Sequence, residues 1–229
     1  MLHLKRALFA VGLVLCMAGV GVAAAGAASA TATTTVGLWN FNERSGPAVD
    51  SAGSQQNGTV GRLVQRTGSV YRFSTGTTLP AADREVIIGD NSVLDPGAGD
   101  FAVTVRFKTA RAASNVTQKG QATTPGGYWK VEIHNGLGTC LFKDSAGRQR
   151  AVLSTSRVDN GVFHTVRCDR TSSKVWITVD GKVQKTIVGA TGTISNSLEM
   201  AIGGKSRCNP PNVGCDFFAG DIDYVRVQK

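Results

Sequence analysis

Between Val36 and Lys229, hydrophobic and polar side chains alternate with a period of two, in short runs broken by Gly, Asn, Asp, Ser and Pro. Alternation of this kind marks half-buried strands, because successive side chains on a strand leave opposite faces. In FAVTVRF, Phe101, Val103, Val105 and Phe107 face one way, Thr104 and Arg106 the other. KVWITVD turns Val175, Ile177 and Val179 inward and Trp176 outward. Asp180-Gly181 then predicts a two-residue hairpin into KVQKTIV, a turn that needs positive φ at both positions. In YWKVEIH, Trp129, Val131 and Ile133 share one face and Lys130, Glu132 and His134 the other. Phe217 to Lys229 reads as one closing strand starting from Gly220, with Asp221 and Asp223 on the same face. No segment has helical periodicity; Leu79–Arg84 predicts one helical turn at most. The pattern predicts an all-β chain of two antiparallel sheets.

The opening of the chain departs from this pattern. His3, Lys5 and Arg6 precede an apolar run from Ala7 to Ala25, and Ala28-Ser29-Ala30 has small residues at cleavage spacing. Residues 1–30 therefore predict a signal peptide, and the rest a secreted, extracellular protein with no membrane attachment after cleavage. Cys16 follows Leu15 rather than a small residue, which argues against lipid attachment there. Residues 31–35 predict a flexible N-terminal segment, and residues 36–229 one domain, large enough for a buried sandwich core.

Loss of Lys5 and Arg6 with the leader reduces the formal charge from +9 to +7. That excess suits an anionic partner as well as a merely soluble surface. No run of like charge or basic stripe interleaved with aromatics occurs, so nucleic acid is not an expected partner. The domain retains Cys140, Cys168, Cys208 and Cys215, which outside the cell predict two disulfides. Of three connectivities, Cys140–Cys168 with Cys208–Cys215 is the economical one. The first pair lies in two strand-like runs and would join neighbouring strands; the second would close a turn over Asn209-Pro210-Pro211-Asn212. Zinc is disfavoured, since no Cys-x-x-Cys or Cys/His spacing is present.

The ending GDIDYVRV resembles the final strand of laminin G-like and concanavalin A-like jelly rolls, and VGLWNFNERSGPAVDSAG is similar to their opening strand and turn. GDFAVTVRFKT, VTQKGQATTPGGYWKVEIHNG, VFHTVRCDRTSSKVWITVDGK and LEMAIGGK resemble further family segments in the family's order. The two cysteine pairs resemble a subset of secreted bacterial, especially actinobacterial, members. The resemblance implies a concanavalin A-like jelly roll and either glycan or protein binding or, in the glucanase branch, glycoside hydrolysis. It also makes a structural calcium ion a candidate, with Asp223 as closing-strand ligand and Asn42 or Glu43 from the opening strand. The competing reading pairs Asp223 with an arginine such as Arg44 or with backbone amides. No cofactor is required.

Glycoside hydrolysis needs two carboxylates across one bond, and glucanases of this fold carry Glu-x-Asp-x-x-Glu on one strand. No such run occurs, and Glu132, the best-placed glutamate, lies between Lys130 and His134. His134 and His164 are not near any Gly-x-Ser-x-Gly turn, and the resemblance implies a structural role for His164, at the family's start-of-strand aromatic or histidine position. The expectation is a non-enzymatic module that binds an extracellular carbohydrate or cell-surface partner; a glycan-cleaving enzyme and a purely structural adhesion protein are the alternatives. Sugar sites stack an aromatic ring on the pyranose and surround it with polar groups. Trp39 and Trp129 read as core, which leaves Trp176, with Tyr128, Lys130, Glu132 and His134 as polar neighbours. Asn57 and Asn115 open glycosylation-type triplets, expected to stay bare in a bacterial protein, and Asp50 fits an Asx turn.

Overall fold

The structure is a computed structural model that describes residues 34–76, 80–189, 191–208 and 213–229. Residues 1–30, expected to be a signal peptide, lie outside them. The strands run in chain order as β1 (Thr35–Trp39), β2 (Gly58–Val60), β3 (Gln65–Arg66), β4 (Tyr71–Phe73) and β5 (Val86–Ile88). There follow β6 (Phe101–Lys108), β7 (Ser114–Lys119), β8 (Tyr128–His134), β9 (Leu137–Lys143) and β10 (Gln149–Arg157). The last five are β11 (Phe163–Arg170), β12 (Lys174–Val179), β13 (Lys182–Val188), β14 (Met200–Ile202) and β15 (Gly220–Gln228). One-turn 3₁₀ helices at Ala81–Arg84 and Ser92–Leu94 are the only helical elements among the described residues. None is long or apolar enough to cross a membrane.

Pairing is antiparallel throughout. One sheet has the order β13-β12-β11-β6-β15-β4-β3, with β1 also on β15; the other runs β10-β9-β8-β7-β14-β5-β2. The inward residues read from the sequence form the layer between them. Phe101, Val103, Val105 and Phe107, with Val175, Ile177 and Val179, meet Trp129, Val131 and Ile133, all of them buried. The expected hairpin joins β12 to β13, with Asp180 at φ 49° and Gly181 at φ 77°. Trp39 and Trp129 are core, their indole nitrogens donating to the carbonyls of Gln56 and Leu94.

Three details differ from the sequence reading. The chain enters the fold earlier than Val36: the Thr34 and Lys229 backbones pair, and Thr35 is in register with Gln228. Of the segment expected to be flexible, residues 31–33 lie outside the described set. The closing strand is not a plain alternation. A bulge between Ile222 and Tyr224 shifts its register on β6, so that Ile222, Val225 and Val227 all point inward. Finally, Cys140–Cys168 joins the two sheets rather than neighbouring strands. Cys140 sits on β9 between Val131 and Val152, Cys168 on β11 between Val103 and Ile177, and their Cα atoms are 5.4 Å apart. Sheets this close leave little room beside the bridge.

Candidate functional site

Alternation along β8 sends Lys130, Glu132 and His134 to the outer face of the seven-stranded sheet, with Tyr128 at its end. β7 lies alongside, and its register sets Gln118 opposite Lys130 and Asn115 opposite Glu132. β7 would be half exposed if nothing lay on it, yet all six of its residues are buried. The cover is the segment after β14. The Gly203 amide donates to the Val116 carbonyl, the Asn115 amide donates to the Asp216 carbonyl, and the Asn115 side chain donates to the Gly204 carbonyl at 2.6 Å. Close approach requires Gly203, since a Cβ there would lie 2.3 Å from the Phe73 ring. The Cys208–Cys215 disulfide closes this segment; the turn at 209–212 that it was expected to staple lies outside the described residues.

The result is a trough between β8 and the stapled segment. One hollow of about 70 Å³ is lined by Gln118, Gln121, Tyr128, Lys130, Lys205 and Val213. A second, of about 160 Å³, is lined by Ser114, Glu132, His134 and Asp216 among others. Lys130 and Glu132 face each other across the boundary, Nζ to Oε2, at 2.5 Å. Lys205 pairs with Asp216 on the opposite wall. Burial, followed by the charge of Glu132, pushes the Tyr128 hydroxyl above the usual tyrosine range. Two polar atoms in the lining have no protein partner although they are buried, Gln121 Nε2 and Ser114 Oγ. Groups of that kind are costly unless something outside the chain satisfies them.

Four of the five nominated residues, Tyr128, Lys130, Glu132 and His134, are thus gathered on one surface. Trp176 is not with them. It lies on the outer face of the eight-stranded sheet, opposite Asp169 and Thr186, with the Lys174 ammonium 4.9 Å from its ring. The outer faces of a sandwich look away from each other, so the five cannot form one site. The missed half of the trough comes from Gln118, Gln121, Lys205 and Asp216. The one sequence signal for Lys205 and Asp216 was their flanking of the Cys208–Cys215 pair.

The residues proposed for calcium do not fit it. Asp223 is bound to Arg106 Nη1 at 2.5 Å, an arginine partner as the competing reading expected, but not Arg44. Glu43 accepts from the Tyr71 hydroxyl and the Val49 amide, both at 2.9 Å, and Asn42 is exposed. Among the described residues no three His, Cys, Asp or Glu side chains gather as a metal would need. Asp50 makes the expected Asx turn: its carboxylate accepts from Ser54 and from the Leu38, Ala52 and Gln56 amides. Burial works against that carboxylate, and these hydrogen bonds still hold its pKa below the ordinary value. His164 bridges Asp180 and Asn160 at 2.7 and 2.9 Å, and Asn115 is wholly buried, closed to glycosylation in the folded chain.

One carboxylate pair escaped the alternation reading: Asp83 stands two residues before Glu85. Asp83 lies in the 3₁₀ turn Ala81–Arg84 and Glu85 just after it, and the two diverge. Asp83 pairs with Arg62 near the surface, whereas Glu85 is fully buried against Gly204.

The family model described as laminin G domain matches residues 107–229. The binding domain of Paraclostridial Mosquitocidal Protein 1 superposes over 85% of this chain and 47% of its own, with a TM-score of 0.63 and 12% identity. The binding domain of botulinum neurotoxin serotype G does so over 85% and 47%, with a TM-score of 0.60 and 10% identity. Mouse laminin alpha1 chain, domains LG4-5, matches over 57% of this chain and 36% of its own, at 19% identity and a TM-score of 0.49. The chain thus spans about half the length of the toxin domains it matches and about a third of the laminin fragment. No curated protein matches the sequence.

Proposed function

We propose that this chain, which belongs to the laminin G domain family, is an extracellular, non-catalytic module that binds a glycan or a glycan-bearing surface partner in the trough along β8. The observation that carries this reading is the polar lining of the trough, where Gln118, Tyr128, Lys130, Glu132, Lys205 and Asp216 bring amide, hydroxyl and ion-paired groups to one surface. A hydroxyl-rich ligand can exchange hydrogen bonds with such a lining, whereas an apolar one would leave it unpaired. The site sits on paired strands and a disulfide-closed segment, so little ordering is lost on binding. Structures sharing the fold are described as binding or receptor-binding domains, which agrees with the reading at the level of fold. Two disulfides suit an oxidising compartment.

Glycan cleavage is the second reading, because Glu132 and Asp216 line the same hollow. Each is engaged by a lysine, Lys130 and Lys205, which favours a recognition role over acid–base work. Reducing-sugar release from a polysaccharide panel tests the point, and turnover would replace the binding reading by the catalytic one.

A glycan array with wild-type protein is expected to return a saccharide ligand. The double variant Lys130→Ala/Glu132→Ala, which removes both charges together, is expected to weaken that ligand about tenfold or more. Trp176→Ala, on the opposite face, is expected to bind as wild type. An array without hits, or a double variant that binds normally, would remove the trough from consideration.

A further inference from the structure

We propose that a cleft at the end of the trough, against the Cys208–Cys215 bridge, is a second subsite that takes an anionic substituent of the bound saccharide: a carboxylate, sulfate ester or phosphate. The proposal rests on the binding reading and adds the class of sugar. The cleft measures about 390 Å³ and is lined by Thr75, Arg111, Ala113, Cys215, Asp216 and Phe217, with Gly76 at its edge. Small-molecule sites usually fall at about 300–1,000 Å³, so this cleft has room for a whole substituted ring. Ala113 and Asp216 also line the hollow beside Glu132 and His134, so the two spaces adjoin. A saccharide lying along β8 therefore reaches the cleft without leaving the surface.

Its charge is cationic. Arg111 is anchored at its backbone, where the amide donates to Thr109 Oγ1 at 3.0 Å. Its side chain is exposed and makes no hydrogen bond or ion pair among the described residues. Arg84 stands behind the cleft, its Nη1 donating to the carbonyl of Thr75 at 2.9 Å and its guanidinium 5.8 Å from the Phe217 ring. Arg84 Nε is buried without a partner. Among the described lining residues the only carboxylate is Asp216, and Lys205 neutralises it. An exposed guanidinium at the mouth and a second behind it, with Asp216 already neutralised, leave the cleft cationic and suited to an anion. The planar donor fork of arginine matches carboxylate, sulfate and phosphate alike, while the ring of Phe217 and the Cys215 sulfur give the sugar an apolar surface to rest on.

The test is calorimetric titration with a galacturonate tetrasaccharide, its methyl-esterified neutral form, and a sulfated galactan tetrasaccharide. Wild-type protein is expected to prefer at least one charged form to the neutral one by about tenfold, a preference that shrinks as salt rises. Arg111→Gln, a change at an exposed residue without partners among the described residues, is expected to abolish the preference and leave neutral-sugar affinity as it was. The stronger of the two charged forms identifies the substituent. Equal binding of charged and neutral forms, or a preference that survives in Arg111→Gln, overturns the subsite and leaves the trough standing. Failure of all three to bind overturns both.

Discussion

Glu85→Gln is expected to make the protein more stable at about pH 8 than the wild type, by roughly 3–5 kcal/mol, and to leave stability at about pH 4 nearly unchanged. Glu85 is fully buried against Gly204, and neither carboxyl oxygen has a hydrogen-bond partner; the nearby Lys205 amide falls outside bonding geometry. Burial, and after it the charge of Glu199, pushes its pKa up from 4.5 to about 8. A raised acid pKa means that the folded chain keeps a proton which the unfolded chain releases. That contribution to stability is fully present below about pH 4.5 and is lost progressively as pH rises through about 8. Glutamine imitates the protonated form and removes the titration. Urea unfolding across this range checks the outcome: the wild-type curve should slope downward with pH and the variant curve should lie flatter. Parallel curves would mean that Glu85 is ionised in the folded protein.

Replacing Cys140 and Cys168 together by alanine is expected to cost about 3–4 kcal/mol, from the entropy of the 28-residue separation that the bridge closes. The loss should exceed that of Cys208→Ala/Cys215→Ala, whose separation of 7 residues corresponds to about 2 kcal/mol. Position sharpens the contrast. The first bridge joins the two sheets inside the core, with both sulfur-bearing residues inaccessible, whereas Cys208 is partly exposed. Mild reductant should therefore open Cys208–Cys215 while the fold persists, and reach Cys140–Cys168 only on unfolding. Mass mapping of alkylated cysteines during a reductant titration measures the order. Simultaneous loss of both bridges in folded protein would contradict the inter-sheet placement. Loss of the surface bridge alone should also weaken saccharide binding, because it loosens the trough wall that carries Lys205 and Asp216.

The period-two pattern identified the strands that matter most, β6, β8, β12 and β15, together with their inward faces. A strand's alternation is a local property, and burial on one side writes it directly into the sequence. The Asp180-Gly181 turn was legible for the same reason, since positive φ at two adjacent positions restricts which residues can stand there. The row on the outer face of β8 could be read too, because it is the complement of a buried row. What the pattern could not supply was which sheet each strand joins. Trp176 and Lys130 are both outward residues of well-formed strands, and only the strand order puts them on opposite faces of the sandwich.

The bulge in β15 was present in the sequence as the spacing of Ile222, Val225 and Val227, yet a pairing partner is needed before an irregular spacing becomes a bulge rather than a strand end. The far wall of the trough, the inter-sheet disulfide and the buried state of Glu85 all depend on contacts between residues distant in the chain. The sequence by itself determined that the chain makes antiparallel strands with a greasy side and a wet side, and that four cysteines staple them. Tertiary structure decided which wet sides meet, which carboxylate is trapped without a partner, and which arginine is left exposed. Face assignment follows from local stereochemistry, whereas the neighbours across a sheet or beneath a loop follow from topology that no short window of residues encodes.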